Sequence, residues 1–167
     1  TANLGFGSTI TMGLLIILTG KTAAGKDTVM AKLLQKLTDF KRVVTTTSRG
    51  IRPGEREEKD YHFISEAEFR RKIDQGDFIE YVSYGGNFYG TEKAEVKSNL
   101  SSNLIWRIDP SRAGQIRQFI RDSFEPSLAD ELLKKVLVIY LTIPDELALE
   151  RLRRRNLSSE EIQKRMQ

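Results

Sequence analysis

The sequence predicts an α/β fold, in which helices flank a parallel sheet. "LLIIL" (14–18) is a short, continuous apolar run, as expected for a strand that is buried on both faces. A glycine-rich loop follows it, and apolar residues then recur between 29 and 37 at the four-residue spacing of a helix. Two later apolar runs, 103–109 and 136–143, are typical of central strands, and a segment of helical character follows each.

The other elements follow in order along the chain. "RVVTTT" (42–47) predicts the second strand of the sheet. The segment 49–91 differs in composition: it is rich in aromatic residues, and apolar and polar residues alternate along it. Together with a Gly-Gly pair, this pattern predicts short antiparallel strands or a hairpin. Within it, 66–75 predicts a short helix. We therefore expect an α/β core that carries a smaller inserted α+β unit.

The composition excludes several classes of protein. The chain has 167 residues, enough for one domain, and carries a formal net charge of +4. It has no cysteine, which excludes a disulfide scaffold and thiolate metal sites and suits a cytoplasmic protein. The longest apolar run, 12–18, is too short to span a bilayer. Residues 1–11 show neither strand nor helix periodicity, so we expect an expression tag or a disordered arm there.

"GKTAAGKDT" (20–28) nearly matches the phosphate-binding pattern G-x-x-x-x-G-K-[ST]. Backbone N–H groups at a strand-to-helix turn form a concave anion site, and the lysine adds a point charge for the β- and γ-phosphates. The hydroxyl position holds Asp27, which could bind Mg²⁺ directly or through water, while Thr28 offers an alternative hydroxyl. The expected nucleotide-binding residues are Gly20, Ala23, Ala24, Gly25, Lys26, Asp27 and Thr28.

The segments "TTTSRGIRPGEREEKDYHFIS" (45–65) and "GDFIEYVSYGGNFYGT" (76–91) closely resemble the monophosphate-binding region of guanylate kinases. With the glycine-rich loop and "ERLRRRN" (150–156), the resemblance covers about 14 to 167. It implies a P-loop NTPase-type parallel sheet with an inserted monophosphate-binding unit and an arginine-rich lid. The implied boundaries within a single domain at 12–167 are a core at 12–48 and 92–145, an insert at 49–91 and a lid at 146–165.

The chemistry of the residues agrees with this resemblance. Planar guanidinium groups match a dianionic phosphate, so Arg49 and Arg52 are candidate ligands, with phenolic hydroxyls from Tyr61 and Tyr89. Guanine presents N1–H and N2–H₂ donors on one edge, and one carboxylate, Glu80, can accept both, whereas adenine offers a bare acceptor at N1. The resemblance further implies that Thr45 and Thr91 place hydroxyls around the base, and that Glu55 sets the loop of the phosphate-binding arginines.

Transfer of a phosphoryl group requires positioning and charge neutralisation more than covalent chemistry. Arg151 and Arg155 are four apart and share a helical face, and Arg165 lies one helix further on. In the family, arginines at these places contact the transferring phosphates. Asp109 ends an apolar strand, as a magnesium- or water-binding aspartate would in a P-loop kinase. The predicted catalytic residues are Lys26, Asp109, Arg151, Arg155 and Arg165, with Asp27 and Asp109 as metal ligands.

The chain departs from the family pattern at several positions. Lys21, Thr22, Ala23 and Asp27 replace the usual loop residues, and "DPSRAG" (109–114) replaces D-x-Q-G. Arg107 stands where the family usually has an acidic residue, close to the acceptor nucleotide. The family pattern also continues past Gln167 with a last helix and strand, so we expect a truncated or shortened C-terminal end.

The expected function is Mg²⁺-dependent transfer from ATP to GMP or dGMP, with small molecules as partners and neither nucleic acid nor membrane. Two alternatives stay open. One is a related small P-loop kinase such as a ribose 1,5-bisphosphate phosphokinase, which can carry the G-K-D spelling found at 25–27. The other is a non-catalytic guanylate-kinase-like module that binds phosphorylated peptides. The sequence leaves the oligomeric state open.

Overall fold

A computed structural model describes residues 2–3, 9–155 and 157–166 of the chain. The strands are β1 (Ala2–Asn3), β2 (Thr9–Ile10), β3 (Leu15–Gly20), β4 (Phe40–Arg42), β5 (Thr46–Thr47), β6 (His62–Phe63), β7 (Phe78–Tyr84), β8 (Asn87–Glu92), β9 (Asn103–Arg107) and β10 (Val136–Leu141). The helices are α1 (Lys26–Lys36), α2 (Glu66–Asp74), α3 (Lys93–Ser98), α4 (Pro110–Ala113), α5 (Ile116–Ser123), α6 (Pro126–Leu133), α7 (Asp145–Arg153) and α8 (Ser159–Met166).

The core is a parallel sheet in the order β10-β3-β9-β4. Strand β3 lies between β10 and β9, and every one of its residues is buried, so both of its faces pack against other parts of the protein. Leu15 and Ile17 contribute to one apolar cluster and Ile16 and Leu18 to a second. The alternation of a strand assigns successive side chains to opposite faces. The α/β fold with a parallel sheet is therefore confirmed.

The segment 136–143 was predicted to be a central strand, and this prediction was wrong. Strand β10 pairs with β3 on one side only, and among the described residues no strand pairs with its other side. Leu137, Val138 and Tyr140 are consequently 49, 48 and 59% exposed. A continuous apolar run shows that a strand is hydrophobic, but it does not show on how many sides the strand has neighbours.

The single strand predicted over 42–47 is in fact two strands that belong to different sheets. Strand β4 pairs with β9 in the core, whereas β5 pairs with β6 and β8 in a second sheet. Between them, the Val43 N–H donates to the Ile105 carbonyl and the Val44 N–H donates to Oε1 of Glu95, at 3.0 Å. The side-chain carboxylate thus replaces a strand partner where the chain leaves the core, and one β-forming run spans the junction.

The second sheet has the order β6-β5-β8-β7 and contains the predicted hairpin. Gly85 and Gly86, both at positive φ, connect β7 to β8, as a tight hairpin turn requires. The predicted helix is α2, whose N-cap residue Ser65 accepts a hydrogen bond from the Glu68 N–H. Its buried Phe69 stacks on Phe78, with ring centroids 4.4 Å apart, and so attaches the helix to the sheet.

Within the amino-terminal segment 1–11, the described residues include an antiparallel pair, β1 with β2, in which Ala2 faces Ile10 and Asn3 faces Thr9. Residues 1 and 4–8 lie outside the described residues. None of the helices in the described ranges has the length and apolar character needed to cross a membrane.

Gly20 marks the point where β3 ends and the glycine-rich loop begins. Its φ is +143°, and a Cβ placed there would lie 2.1 Å from the carbonyl oxygen of Leu141. We expect Gly20→Ala to lower the free energy of unfolding by about 1–3 kcal/mol, because the new methyl group forces β3 and β10 apart. Urea unfolding of both proteins measures the difference.

Gly114→Ala is the matched control. Gly114 has φ −63°, and a Cβ there meets nothing within 4 Å. We expect it to change the free energy of unfolding by less than about 0.5 kcal/mol. Equal effects of the two substitutions would contradict the close approach at Gly20.

Candidate active site

The glycine-rich loop joins β3 to α1, as the sequence predicts, and turns back over the start of the helix. Gly25 is the N-cap residue of α1 and has φ +84°, a conformation that glycine adopts without a Cβ penalty. Ala23 also has a positive φ, +56°. The Lys26 ammonium donates to the carbonyl oxygens of Gly20, at 2.7 Å, and Lys21, at 2.9 Å. The loop therefore encloses a positive charge at the N-terminus of a helix, where an anion is favoured.

Helix α7 packs its arginines against this loop. Arg151 donates through Nη1 to the Ala23 carbonyl, at 3.0 Å, and Lys21 pairs with Asp145 at the start of the helix. A cavity of about 440 Å³ lies between loop and helix and is lined by Ala23, Ala24, Gly25, Thr28, Val29, Arg151, Arg154 and Arg155. The structure thus brings Arg151 and Arg155 to the glycine-rich loop.

Arg154 was not among the sequence-predicted residues, although it lines the same cavity. Its spacing from Arg151, three residues along one helix, was the available signal. Arg165 lies elsewhere: its Cζ is 5.5 Å from the ring centroid of Tyr84, on β7 of the hairpin. The structure therefore does not place Arg165 in the cavity beside the loop.

A second and larger cavity, of about 760 Å³, lies on a different face of α1. Residues of the insert and of the core line it together with the helix. Its polar lining residues are Asp27, Arg42, Arg49, Arg52, Glu55, Glu58, Lys59, Asp60, Tyr61, Tyr89 and Arg107. Six of these were predicted from the sequence: Arg49, Arg52, Glu55, Tyr61 and Tyr89 for the acceptor, and Asp27 for the nucleotide and metal. Arg42 and Lys59 were missed, since neither stands out from ordinary surface charge in the sequence.

A carboxylate fixes the two predicted phosphate-binding arginines in one loop. Nη2 of Arg49 lies 2.7 and 2.9 Å from the two carboxylate oxygens of Glu55, and the Arg52 N–H donates to Oε2 of the same residue. Burial would lower the pKa of Arg49, but the contact with Glu55 outweighs it and the pKa is raised. The Arg49 Cζ also lies 5.7 Å from the ring centroid of Tyr61. Arg49 is therefore held as a charged, oriented donor.

Glu80 lies deeper than this cavity and does not line it. Its side chain, on β7, is buried, and Oε1 accepts a hydrogen bond of 2.8 Å from the hydroxyl of Thr91. That hydroxyl in turn accepts from Nε1 of Trp106, also at 2.8 Å. Thr91 is thus committed to positioning Glu80. Thr45 lies between β4 and β5, where its carbonyl accepts from the His62 N–H.

Burial raises the pKa of Glu80 to about 7. The hydrogen bond from Thr91 and the nearby positive charge of Arg112 offset part of this effect, whereas Asp109 adds to it. A carboxyl in this state can be either ionised or protonated near neutral pH, so a ligand that donates two hydrogen bonds to it would select the ionised form.

Asp27 and Asp109 both lie close enough to Lys26 for their charges to act on it. Oδ1 of Asp27 accepts from Nη1 of Arg107, at 2.7 Å, and Oδ1 of Asp109 accepts from the N–H and hydroxyl of Ser111 at the start of α4. Burial lowers the pKa of Lys26, and the charge of Arg107 lowers it further, while both aspartates oppose the change. Within the described residues, no cluster of three or more His, Cys, Asp or Glu could hold a metal. The carboxylate oxygens of Asp27 and Asp109 are the donor type that suits Mg²⁺, an ion that keeps waters and binds nucleotide phosphates through few protein ligands.

A glycine-rich loop that faces arginines on one side, and an arginine- and tyrosine-lined cavity on the other, define a P-loop nucleoside monophosphate kinase. Residues 12–167 match the family model for guanylate kinase. The chain belongs to the guanylate kinase family.

The relatives agree with this assignment. The chain is 36% identical over 148 residues to a guanylate kinase of Sus scrofa, covering 87% of this chain and 69% of that protein. It is 38% identical over 157 residues to a guanylate kinase of Nostoc sp., covering 93% and 73%. A crystal structure of guanylate kinase from Anaplasma phagocytophilum is similar with a TM-score of 0.60 and 28% identity, over 86% of this chain. The chain spans 65% of the length of that solved protein.

The raised pKa of Glu80 has a consequence for stability. The folded protein holds this proton more tightly than the unfolded chain, so the stabilisation is full below about pH 4.5 and is lost as the pH rises to about 7. At about 1.4 kcal/mol per pH unit, the cost of the buried carboxylate above pH 7 is on the order of 3 kcal/mol. We expect Glu80→Gln to raise the free energy of unfolding by about 1–3 kcal/mol at pH 8 and to change it little at pH 4.5.

Glu92→Gln is the control of opposite sign for this urea-unfolding experiment. Burial would raise the pKa of Glu92, but hydrogen bonds from Lys72 and Thr46 outweigh it, and the pKa is lowered. Its contribution is therefore present above the unfolded pKa and lost as the pH falls. Glu92→Gln should destabilise the protein at pH 8, and a gain from both substitutions would refute the assignment for Glu80.

Proposed function

We propose that this chain transfers the γ-phosphoryl group of ATP to GMP or dGMP, giving ADP and GDP or dGDP. The observation that carries the proposal is the placement of two cavities at the start of α1, one lined by Gly25 and Thr28 and one lined by Asp27 together with Arg49, Arg52, Tyr61 and Tyr89. A donor and an acceptor nucleotide bound in these cavities would meet with their phosphates beside Lys26. A cytoplasmic setting, which a chain without cysteine suits, is part of the proposal.

The donor phosphates bind to the N–H groups of the loop and to Lys26. Arg151, Arg154 and Arg155 line the outer side of this cavity and add positive charge where the triphosphate would lie. Arg151 already contacts the Ala23 carbonyl of the loop. A further movement of α7 toward the loop would bring these guanidinium groups over the phosphates and exclude water. Arg165, beside Tyr84, would need the same movement to reach them.

The acceptor phosphate binds to Arg49 and Arg52, whose orientation Glu55 sets, and to the hydroxyls of Tyr61 and Tyr89. The acceptor base extends beyond the larger cavity to Glu80, whose carboxylate is held by Thr91, which accepts in turn from Trp106. Thr45, at the junction of the two sheets, completes the proposed base site. When bound, Mg²⁺ would neutralise charge on the phosphates as a Lewis acid, and Asp27 and Asp109 would hold it.

The two alternative functions receive less support. A ribose 1,5-bisphosphate phosphokinase would have no use for the buried relay from Trp106 through Thr91 to Glu80, which suits a donor edge of a base. A non-catalytic module would have no use for the arginines that face the glycine-rich loop.

The test is ADP release from ATP and Mg²⁺ with GMP, dGMP, AMP, UMP, CMP and ribose 1,5-bisphosphate as separate acceptors. We expect turnover with GMP and dGMP, and at least about 10⁴-fold lower efficiency with AMP, because adenine leaves the buried carboxylate unpaired. Turnover with ribose 1,5-bisphosphate alone, or GMP binding without any turnover, would overturn the proposal.

Lys26→Met should impair the proposed donor site and leave the proposed acceptor site intact. We expect kcat to fall about 10²–10³-fold, since the charge at the donor phosphates is lost, while the Kd of GMP changes less than about twofold. Steady-state kinetics and calorimetric titration with GMP measure the two quantities. Lys32→Met, an exposed substitution on the same helix, is the control and should leave both unchanged. A normal rate for Lys26→Met would exclude the donor role of the loop.

Glu80→Gln should remove both guanine selectivity and one step in the pH profile of binding. If GMP requires the ionised carboxylate, its affinity for the wild type falls about 100-fold between pH 8 and pH 5, because Glu80 titrates near 7. The phosphate of GMP also titrates, but equally for both proteins, so the difference between them isolates Glu80. Parallel pH profiles, or an unchanged preference for GMP over AMP, would contradict its role as base reader.

A further inference from the structure

Arg107 joins the first turn of α1, beside the glycine-rich loop, to the proposed acceptor-phosphate site. It ends β9, and its guanidinium donates through Nη1 to Oδ1 of Asp27, at 2.7 Å, and through Nη2 to the hydroxyl of Tyr61, at 2.5 Å. Asp27 lies in the first turn of α1, directly after Lys26, and Tyr61 belongs to the proposed acceptor-phosphate site. The side chain is 26% exposed and lines the larger cavity. A planar cation thus lies in the proposed acceptor cavity and contacts the residue that directly follows Lys26.

The charges around Arg107 favour an anion at this place. Arg107 shares the larger cavity with Arg42, Arg49 and Arg52, and Asp27, which it contacts, directly follows Lys26. Cations that disfavour one another in the free protein gain when a polyanion enters among them. Tyr61, which also lies against the guanidinium of Arg49, links this group to the predicted phosphate ligands.

We infer that Arg107 is a further catalytic residue, whose guanidinium contacts the phosphoryl group as it passes from donor to acceptor. The inference rests on the proposed function. In the reaction, an oxygen of the acceptor phosphate forms a bond to the γ-phosphorus, and the bond from that phosphorus to the β,γ-bridging oxygen breaks, leaving the electron pair on ADP. Negative charge spreads over the three equatorial oxygens of the group in transit. Arg107 stays protonated and transfers no proton.

Asp27 and Tyr61 act as supports for this arginine. Each takes a hydrogen bond from a different nitrogen of the guanidinium, so its plane is fixed before the nucleotides bind. A donor that is already oriented toward developing charge requires no reorganisation during the reaction, which is the condition for a large electrostatic effect. Arg107 remains partly exposed toward the cavity, so the fork is accessible to phosphate oxygens.

The alternative is that Arg107 only ties the end of β9 to the loop and to the insert. A purely structural role predicts that its loss lowers stability and weakens every ligand together. A role at the phosphoryl group in transit predicts a selective loss of kcat and of affinity for a ligand that spans both cavities. An adenosine and a guanosine joined by five phosphates is such a probe.

The experiment compares Arg107→Met and Arg107→Lys with the wild-type chain, and uses Arg117→Met as the control for loss of one positive charge. Arg117 is an exposed residue of α5. For Arg107→Met we expect kcat to fall about 10²–10³-fold and the probe to bind at least about 100-fold more weakly, with the Kd of GMP changed less than about fivefold. Arg107→Lys keeps the charge without the fork and should lose about 10-fold in kcat.

An unchanged kcat or unchanged probe affinity in a folded Arg107→Met would overturn the inference, as would equal weakening of GMP and probe. Thermal unfolding shows whether Arg107→Met is folded. If Arg107→Met is not folded, Arg107→Lys provides the test. Wild-type kcat and wild-type probe affinity in Arg107→Lys would also overturn the inference. Failure of the proposed function is distinguishable, because the wild-type chain would then show no turnover with GMP.

Discussion

The close approach of β3 to β10 at Gly20 is the constraint on which the cavity between the glycine-rich loop and α7 depends. The backbone of Gly20 fits beside the Leu141 carbonyl only without a side chain, and that carbonyl accepts a hydrogen bond from the Lys21 N–H. The glycine-rich loop therefore begins against the end of β10. Because α7 follows β10 after a few residues, its first turn and its arginines lie beside the loop, where Asp145 pairs with Lys21. A single glycine thus sets the distance between the loop and the helix that would cover it.

The insert is joined to the core by polar contacts that also shape the proposed base site. Glu95 accepts from the Val44 N–H where the chain leaves the core, and Trp106 of β9 donates to Thr91 of β8. The second contact orders Thr91, which orders Glu80. Burying a carboxylate against one hydroxyl is costly, and the raised pKa of Glu80 measures that cost. A guanine edge that donates hydrogen bonds to Glu80 would offset this cost. The buried carboxylate therefore lowers the stability of the free protein and favours guanine over other bases in the complex.

The local elements could be predicted from the sequence, whereas contacts between distant residues could not. Periodicity identified β3, α1, α2 and the hairpin, because these depend on short-range patterns. It failed at 42–47, where one β-forming run divides between two sheets, and at β10, where the pattern carries no information on the number of neighbours. The family resemblance implied that Glu55 sets the loop of the phosphate-binding arginines, and the structure brings Glu55 into contact with Arg49.

The pairing of Asp27 with Arg107 shows why the rest required a structure. Each position departs from the usual pattern of the family, and the two are 80 residues apart in the sequence. A carboxylate beside the donor phosphates repels them, and a guanidinium where the family has an acid removes a negative charge from the acceptor side. Because the two side chains are 2.7 Å apart, the positive charge of Arg107 offsets the electrostatic cost of the Asp27 carboxylate. Considered together, Asp27 and Arg107 are not evidence against phosphoryl transfer. Their charges neutralise each other, so the surrounding cations still favour phosphates.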